Sequence, residues 1–228
     1  MAADELHSDR NRVVDMRARV AGRLKLGLFA TFTRYGLCRD LSQPIERPAA
    51  KIPIAVRPLQ DGDLPSLFSS EVGQNDLGEK LEVAWRRAFI AKGARGGFVA
   101  IDTRNATPCY VQWLFGSRDN EFVRRLGGFP ALEPDEALLE NAYTPPAYRG
   151  FGIMSAAMAL IAECAGSTGA RHVLTFVDQD NLPSLKGCQR AGFYPRSLHR
   201  RTRIGFGLIT RDRFETLPDG DPRRRAKF

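Results

Sequence analysis

A mixed α/β sheet is what the order of periodicities in this 228-residue chain predicts. Two observations carry that expectation. Three strand-like runs, Gly97 to Asp102, Cys109 to Phe115 and Ala137 to Tyr143, follow one another without intervening helices, whereas a regular doubly wound sheet alternates strand and helix. The segment Thr144-Pro-Pro-Ala-Tyr-Arg-Gly-Phe-Gly-Ile-Met-Ser155 then joins the last of these runs to an apolar helix-like run, Ile153 to Ala165. A glycine-bearing strand-to-helix turn leaves several backbone N–H groups unpaired and pointing one way. Together with the positive end of the helix dipole they form a site for an anion such as a phosphate.

The remaining elements follow in chain order. Val13, Met16, Val20, Leu24 and Leu28 recur at helical spacing from Ser8 to about Phe32, interleaved with arginines, so residues 1–40 read as a basic helical extension. Residues 41–51 hold Pro44 and Pro48 and read as a linker. Ile52 to Leu59 reads as a strand, and Asp61 to Phe68 as a helix start with Asp63 near the N-cap and Pro65 in the first turn. Leu77 to Ala91 has helical spacing, and Glu121 to Leu126 is a shorter amphipathic piece. After the Ile153 helix come a strand, His172 to Val177, and a helix from about Leu182 to Ala191 stopped by Gly192. A hairpin, Tyr194 to Ile209, leads into a basic tail, residues 211–228, expected to be disordered at its end.

Composition narrows the function classes. The apolar fraction of 43% and charged fraction of 26% are those of a globular protein of one buried domain with additions. No apolar run has the length of a bilayer span, and Met1 to Arg12 lack a signal-like apolar core, so a cytoplasmic compartment is expected. Cys38, Cys109, Cys164 and Cys188 show no CxxC spacing and His7, His172 and His199 are scattered, so no metal site is expected and the thiols are read as reduced. The net charge of +8 belongs to the ends. Residues 1–51 carry ten basic against six acidic side chains and residues 195–228 ten against four, while 52–194 carry fourteen against sixteen. Such ends attract nucleic acid, anionic lipid or an acidic protein, although a solvated surface is the plainer reading.

The turn has a rival reading. Gly150-Phe-Gly-Ile-Met-Ser155 approaches G-x-G-x-x-G, but the third glycine is missing and Asp178, the acidic residue ending the next strand, comes too late for a dinucleotide fold.

With the turn and the later Asn181-Leu-Pro-Ser-Leu-Lys-Gly-Cys-Gln-Arg-Ala-Gly-Phe193 both in view, residues 52–210 resemble the GNAT superfamily of acyl-CoA-dependent N-acyltransferases. Val56-Arg-Pro-Leu-Gln-Asp-Gly-Asp-Leu-Pro65 looks like the family's first strand and helix entry, and Arg149-Gly-Phe-Gly-Ile-Met154 like its pyrophosphate loop. The resemblance implies an α/β (α+β mixed sheet) GNAT-like fold behind the N-terminal extension. It also implies acetyl-CoA, or another acyl-CoA, as co-substrate, and a primary amine of a small molecule such as an aminosugar or amino acid as acceptor. Arg149, Gly150, Phe151, Gly152, Ile153 and Met154 would hold the pyrophosphate. Ala142, Tyr143 and Thr144 would offer backbone groups to the pantetheine arm, and Asn181 and Ser184 would touch the cofactor from the second segment. Two residues depart from the pattern: Met154 stands where the family prefers glycine or alanine, and Cys188 where many members place a tyrosine that protonates the departing thiolate.

Among side chains for chemistry, Glu140 and Glu136 share one face of their strand, and Glu140, set in an apolar run, is the first choice of base. Cys188 and Tyr143 are candidate acids, with Tyr148 a further donor, and a buried packing role for Cys188 is the alternative. Trp113, Phe115 and Tyr110 are candidates to line the acceptor pocket or, more simply, to pack the core. Two other readings stay open: a non-catalytic module of the same fold binding nucleic acid, membrane or an acidic protein through its basic ends, and an acyl-carrier-protein-dependent enzyme. A homodimer is compatible with each.

Overall fold

The computed structural model describes residues 28–69 and 76–228. Among the described residues, eight strands form one sheet in the order β2-β3-β4-β5-β6-β1-β7-β8. They are β1 (Phe29–Asp40), β2 (Ile54–Pro58), β3 (Gly97–Asp102), β4 (Thr107–Gly116), β5 (Glu136–Tyr143), β6 (His172–Asp178), β7 (Tyr194–Ile204) and β8 (Ile209–Thr216). The helices are α1 (Leu64–Leu67), α2 (Leu77–Ala91), α3 (Asn120–Leu126), α4 (Ile153–Gly166) and α5 (Leu182–Arg190). The expected run of three strands is β3-β4-β5, although α3 stands between β4 and β5; α4, β6 and α5 fall within a residue or two of their sequence-based bounds, while the hairpin expected to end at Ile209 runs on to Thr216.

Three expectations need correction. Residues 29–40 form a strand, not the end of a helix, and the rest of the expected N-terminal helix lies outside the described residues. This strand sits inside the sheet, pairing with β6 from Arg34 to Asp40 and with β7 along most of its length. Alternation of Phe32, Arg34, Gly36 and Cys38 with Thr33, Tyr35 and Leu37 suits a strand with both faces covered. Second, the tail is ordered: residues 209–216 form the edge strand β8, Leu217 is buried, and Phe228 packs edge-on against Tyr35 at 5.2 Å. Gln189 on α5 fastens the terminus by donating to the Ala226 carbonyl at 2.9 Å and accepting from the Phe228 amide at 3.2 Å. Third, the linker is irregular as expected but is a strap over α4. Leu41, Ile45 and Ala50 pack against that helix's cluster, and Arg47 pairs with Glu163 at 2.9 Å. Covered by sheet below and strap above, α4 is apolar nearly all round.

Each face of the sheet has its own core. Ile153, Ala157 and Ile161 of α4 and Leu185 and Cys188 of α5 fill one face. On the other, Leu67 and Phe68, Phe89 of α2 and Val123 of α3 close over Trp113, Phe115, Leu138 and Phe176. Trp113 is the largest fully buried side chain and meets Phe89 edge-on at 5.2 Å. Trp113→Ala should lower unfolding free energy by about 3–5 kcal/mol through lost burial and the cavity left behind, read as an earlier urea midpoint.

Two irregularities in the sheet position the site. β5 and β6 are its parallel pair, yet they pair only over Glu136–Leu138 with His172–Leu174, leaving the C-terminal half of β5 unpaired on that side. On the other side, Val111 faces Tyr143 while Trp113 faces Glu140, so Asn141 and Ala142 together stand opposite Gln112. Asn141 takes the left-handed conformation that this bulge requires, with φ 61°.

Candidate active site

The turn after β5 has the geometry an anion site needs. Gly152 caps α4 in a left-handed conformation (φ 73°, ψ 9°), and no side chain caps the helix. Among the described residues, the loop's hydrogen bonds engage carbonyls rather than amides between Gly150 and Ser155. Lys51 N–H donates to the Phe151 carbonyl at 2.8 Å, and Ala156 N–H to that of Gly152 at 3.3 Å. The amides of Gly150 to Ser155 are thus left as donors at the positive end of a fourteen-residue helix. Gly150 also has φ above zero, and a Cβ there would meet nothing within 4 Å, so that backbone is open to a ligand.

Arg149 is held from two sides. Its Nε donates to the Thr144 carbonyl at 3.0 Å, and its Nη2 to Glu79 Oε2 at 2.7 Å. The buried Glu79 also accepts from the Tyr143 hydroxyl at 2.5 Å. Glu79 therefore ties together the end of β5, the loop and α2. It escaped the sequence reading because its partners lie more than sixty residues away, and nothing in the spacing of α2 distinguishes it from Glu82.

These groups surround a cavity of about 750 Å³, within the range that takes a cofactor-sized ligand. Ala142, Tyr143 and Thr144 line it from β5, Arg149, Gly150 and Gly152 to Met154 from the loop and α4, and Asn181 and Ser184 from α5. So the segments that the sequence singled out, separate along the chain, meet on one wall. Phe151 is absent from the lining and half-exposed; it contributes through its carbonyl. Met154 lays its sulfur over Gly187 of α5, packing the groove between the two helices. Asn181 spends its carbonyl oxygen on capping α5, accepting from Ser184 N–H at 3.2 Å. Of the three aromatics proposed for a pocket, Tyr110 reaches the cavity and donates to Gln112 Oε1 at 2.7 Å, while Trp113 and Phe115 belong to the core.

Glu140 and Glu136 do share a face, but their settings differ. Glu136 is paired with Arg196 at 3.2 Å. Glu140 sits at the bulge with Oε2 buried and without a hydrogen-bond partner among the described residues. Burial pushes its carboxyl up to about 7, against the opposing pull of Arg34. Next to it both side-chain polar atoms of the buried Asn141 are unpartnered. Both residues stand where β5 and β6 part, and neither is among the residues lining the large cavity. Arg34 and Asn141 were also missed by the sequence reading: the first fell in the N-terminal extension, past the expected helix, and the second lacks any motif.

Neither candidate acid is set up to deliver a proton. Burial, with Glu140 adding to it, pushes the Cys188 thiol up to about 12 inside the core. Tyr143 is raised by burial and by its bond to Glu79, where its hydroxyl proton is engaged.

Residues 78–193, just over half of the chain, match the model of the acetyltransferase (GNAT) family. Among solved structures, a GNAT-family acetyltransferase from Colwellia psychrerythraea aligns over 83% of this chain and 57% of its own, with 13% identity and a TM-score of 0.49. A GCN5-related N-acetyltransferase from Sphaerobacter thermophilus aligns over 78% and 54%, with 17% identity and a TM-score of 0.46. A glucosamine N-acetyltransferase region of a fungal multi-domain β-N-acetylglucosaminidase aligns over 81% and 22%, with 15% identity and a TM-score of 0.52. The chain thus matches little more than half the length of the first two. Curated protein sequences give no match. The family uses acyl-CoA for acyl transfer, and with the family match lying across the loop, the opened strand pair and α5, the chain belongs to the GNAT acetyltransferase family.

Proposed function

We propose that this protein transfers an acetyl group from acetyl-CoA to the primary amine of a small molecule, by direct attack within a ternary complex, with Glu140 as base. The observation that carries the reading is the partnerless carboxylate oxygen of Glu140 beside the gap between β5 and β6. An amine is protonated near neutral pH and must lose a proton to become a nucleophile. A carboxylate held near 7 is matched to that task, whereas an ordinary one is too weak a base.

Amides of Gly150 to Ser155 bind the diphosphate, and the backbone of Ala142 to Thr144 orients the thioester. Bound acetyl-CoA supplies an activated acyl carbon whose bond to sulfur breaks as the bond to nitrogen forms. Glu140 accepts the proton that the amine gives up. With Cys188 and Tyr143 both holding their protons tightly, the leaving thiolate takes its proton from solvent, which suffices for so good a leaving group.

Incubation with acetyl-CoA and a panel of aminosugars and amino acids, scored by free-thiol release, tests the proposal. Release with acetyl-CoA and at least one amine, faster than with long-chain acyl-CoA or an acylated carrier protein, is the expected result. Thermal stabilisation by CoA without thiol release from any donor would point to the non-catalytic module instead.

A further inference from the structure

Three strands end together at one corner of the sheet, and the corner is apolar where hairpin turns are ordinarily polar. Phe29 pairs with Ile204 and Ile204 with Ile209, while Gly205 N–H donates to the Leu28 carbonyl at 2.9 Å. The run Ile204-Gly-Phe-Gly-Leu-Ile209 carries no polar side chain. Leu28 is 70% exposed, Phe29 66%, Leu208 72% and Ile209 55%. Phe206 stands at the turn with φ 58°, a conformation that costs an aromatic residue strain and that asparagine or glycine would adopt more easily. Phe206 is itself 37% exposed, so the turn holds an aromatic side chain partly in solvent at this tip.

Cationic groups ring this corner. Between residues 200 and 213 there are five arginines and one carboxylate, and that carboxylate, Asp212, is already engaged by Arg201 at 2.8 Å and His199 at 2.6 Å. Arg200 lies directly opposite Arg213 and Thr202 opposite Arg211, which gathers three guanidinium groups on one face. Like charges facing each other across strands are destabilising unless an anion answers them. Arg203 reaches the other face, over the ring of Phe32.

We infer that this corner is a membrane-docking surface: Phe206, Leu208 and Ile209 enter the interfacial layer of an anionic phospholipid bilayer while Arg200, Arg211 and Arg213 meet the headgroups. An apolar tip inside a basic ring is complementary to that surface, since the leaflet is negative outside and apolar a few ångströms within. A second copy fits less well, because the edge strand beside the tip carries Arg211-Asp-Arg213, charges that oppose strand pairing between molecules. Nucleic acid would use the arginines and leave the exposed apolar side chains without a role. The site lies at the same end of the sheet. Asn181 and Pro183 line both the large cavity and a smaller one, about 480 Å³, that runs to Thr31 and Phe32 of β1. Docking would therefore keep the mouth of the cavity near the lipid surface.

Flotation of the full chain with phosphatidylcholine vesicles, with and without 30 mol% (roughly) phosphatidylserine, tests the inference. Binding only to the anionic vesicles is expected, weakened by salt. It should fall at least tenfold in Leu208→Asp and in the double variant Arg211→Glu/Arg213→Glu, with CoA-induced thermal shifts unchanged. The inference is overturned if wild-type protein ignores anionic vesicles, or if duplex DNA binds as well and Leu208→Asp leaves both unaffected. It is equally overturned if Leu208→Asp instead splits a dimer in sedimentation, or lowers the melting temperature by uncovering a contact within the chain.

Discussion

Glu140→Gln is expected to lower kcat by roughly 10²- to 10⁴-fold while leaving the KM for acyl-CoA within a factor of about two. The change removes the proposed base but keeps size and polarity at the bulge, and the loop amides proposed to bind the diphosphate lie elsewhere. In wild type the rate should climb with pH through about 7, where Glu140 loses its proton, and the variant's residual rate should lack that limb. Stability should move the opposite way. A carboxyl whose pKa is raised by folding favours the folded state fully below its unfolded value near 4.5, and that contribution is lost as pH rises through about 7. Removing the ionisable group should therefore raise the melting temperature above pH 7 and leave it unchanged in acid. A variant with unaltered kcat, or one that loses activity and stability together at pH 8, would remove Glu140 from the chemistry.

Gly152→Val should abolish measurable cofactor binding, a loss of about 100-fold or more, because it misplaces every donor of the loop at once. Gly152 has φ 73°, a region that β-branched residues avoid; an added Cβ would itself rest in ordinary contact, 3.5 Å from the Ala49 carbonyl of the strap, so the strain comes from the backbone conformation and the two further methyl groups of valine. Relief requires the turn to rotate, which re-aims the amides of residues 150–155. Gly150→Ala makes the comparison, since its Cβ meets nothing and the cost there is torsional alone. Isothermal titration with CoA should rank wild type above Gly150→Ala, and Gly150→Ala above Gly152→Val. If Gly152→Val keeps wild-type affinity while remaining folded, the diphosphate is not held by these amides.

Much of the candidate site was legible because it is built from local signals. A glycine-bearing corner between an apolar strand and an apolar helix announces unpaired amides whatever surrounds it, and Asn181 ahead of Leu182-Pro183 announces a helix start. The N-terminal strand was not legible. Helical spacing from Val13 to Leu28 runs directly into residues 29–40, and what makes those residues a strand is partners more than 130 positions away in β6 and β7. The tail was misjudged for the same reason: a polar, arginine-rich segment looks solvated until β7 supplies hydrogen bonds along its length and α5 receives Phe228.

Glu140 shows where the boundary runs. Its place on a strand, before the loop and on the face shared with Glu136, follows from a period of two and was fixed by sequence alone. That Glu136 finds Arg196 while Glu140 is left with an unpartnered oxygen is decided by which elements close over each, and so is the capture of Arg149 by Glu79. Local patterns specify which backbone groups are spare and which side chains share a face, because those depend on neighbours along the chain. Burial, pairing and proton affinity depend on groups brought together only by the folded sheet, through desolvation and short-range charge, and so belong to the tertiary structure.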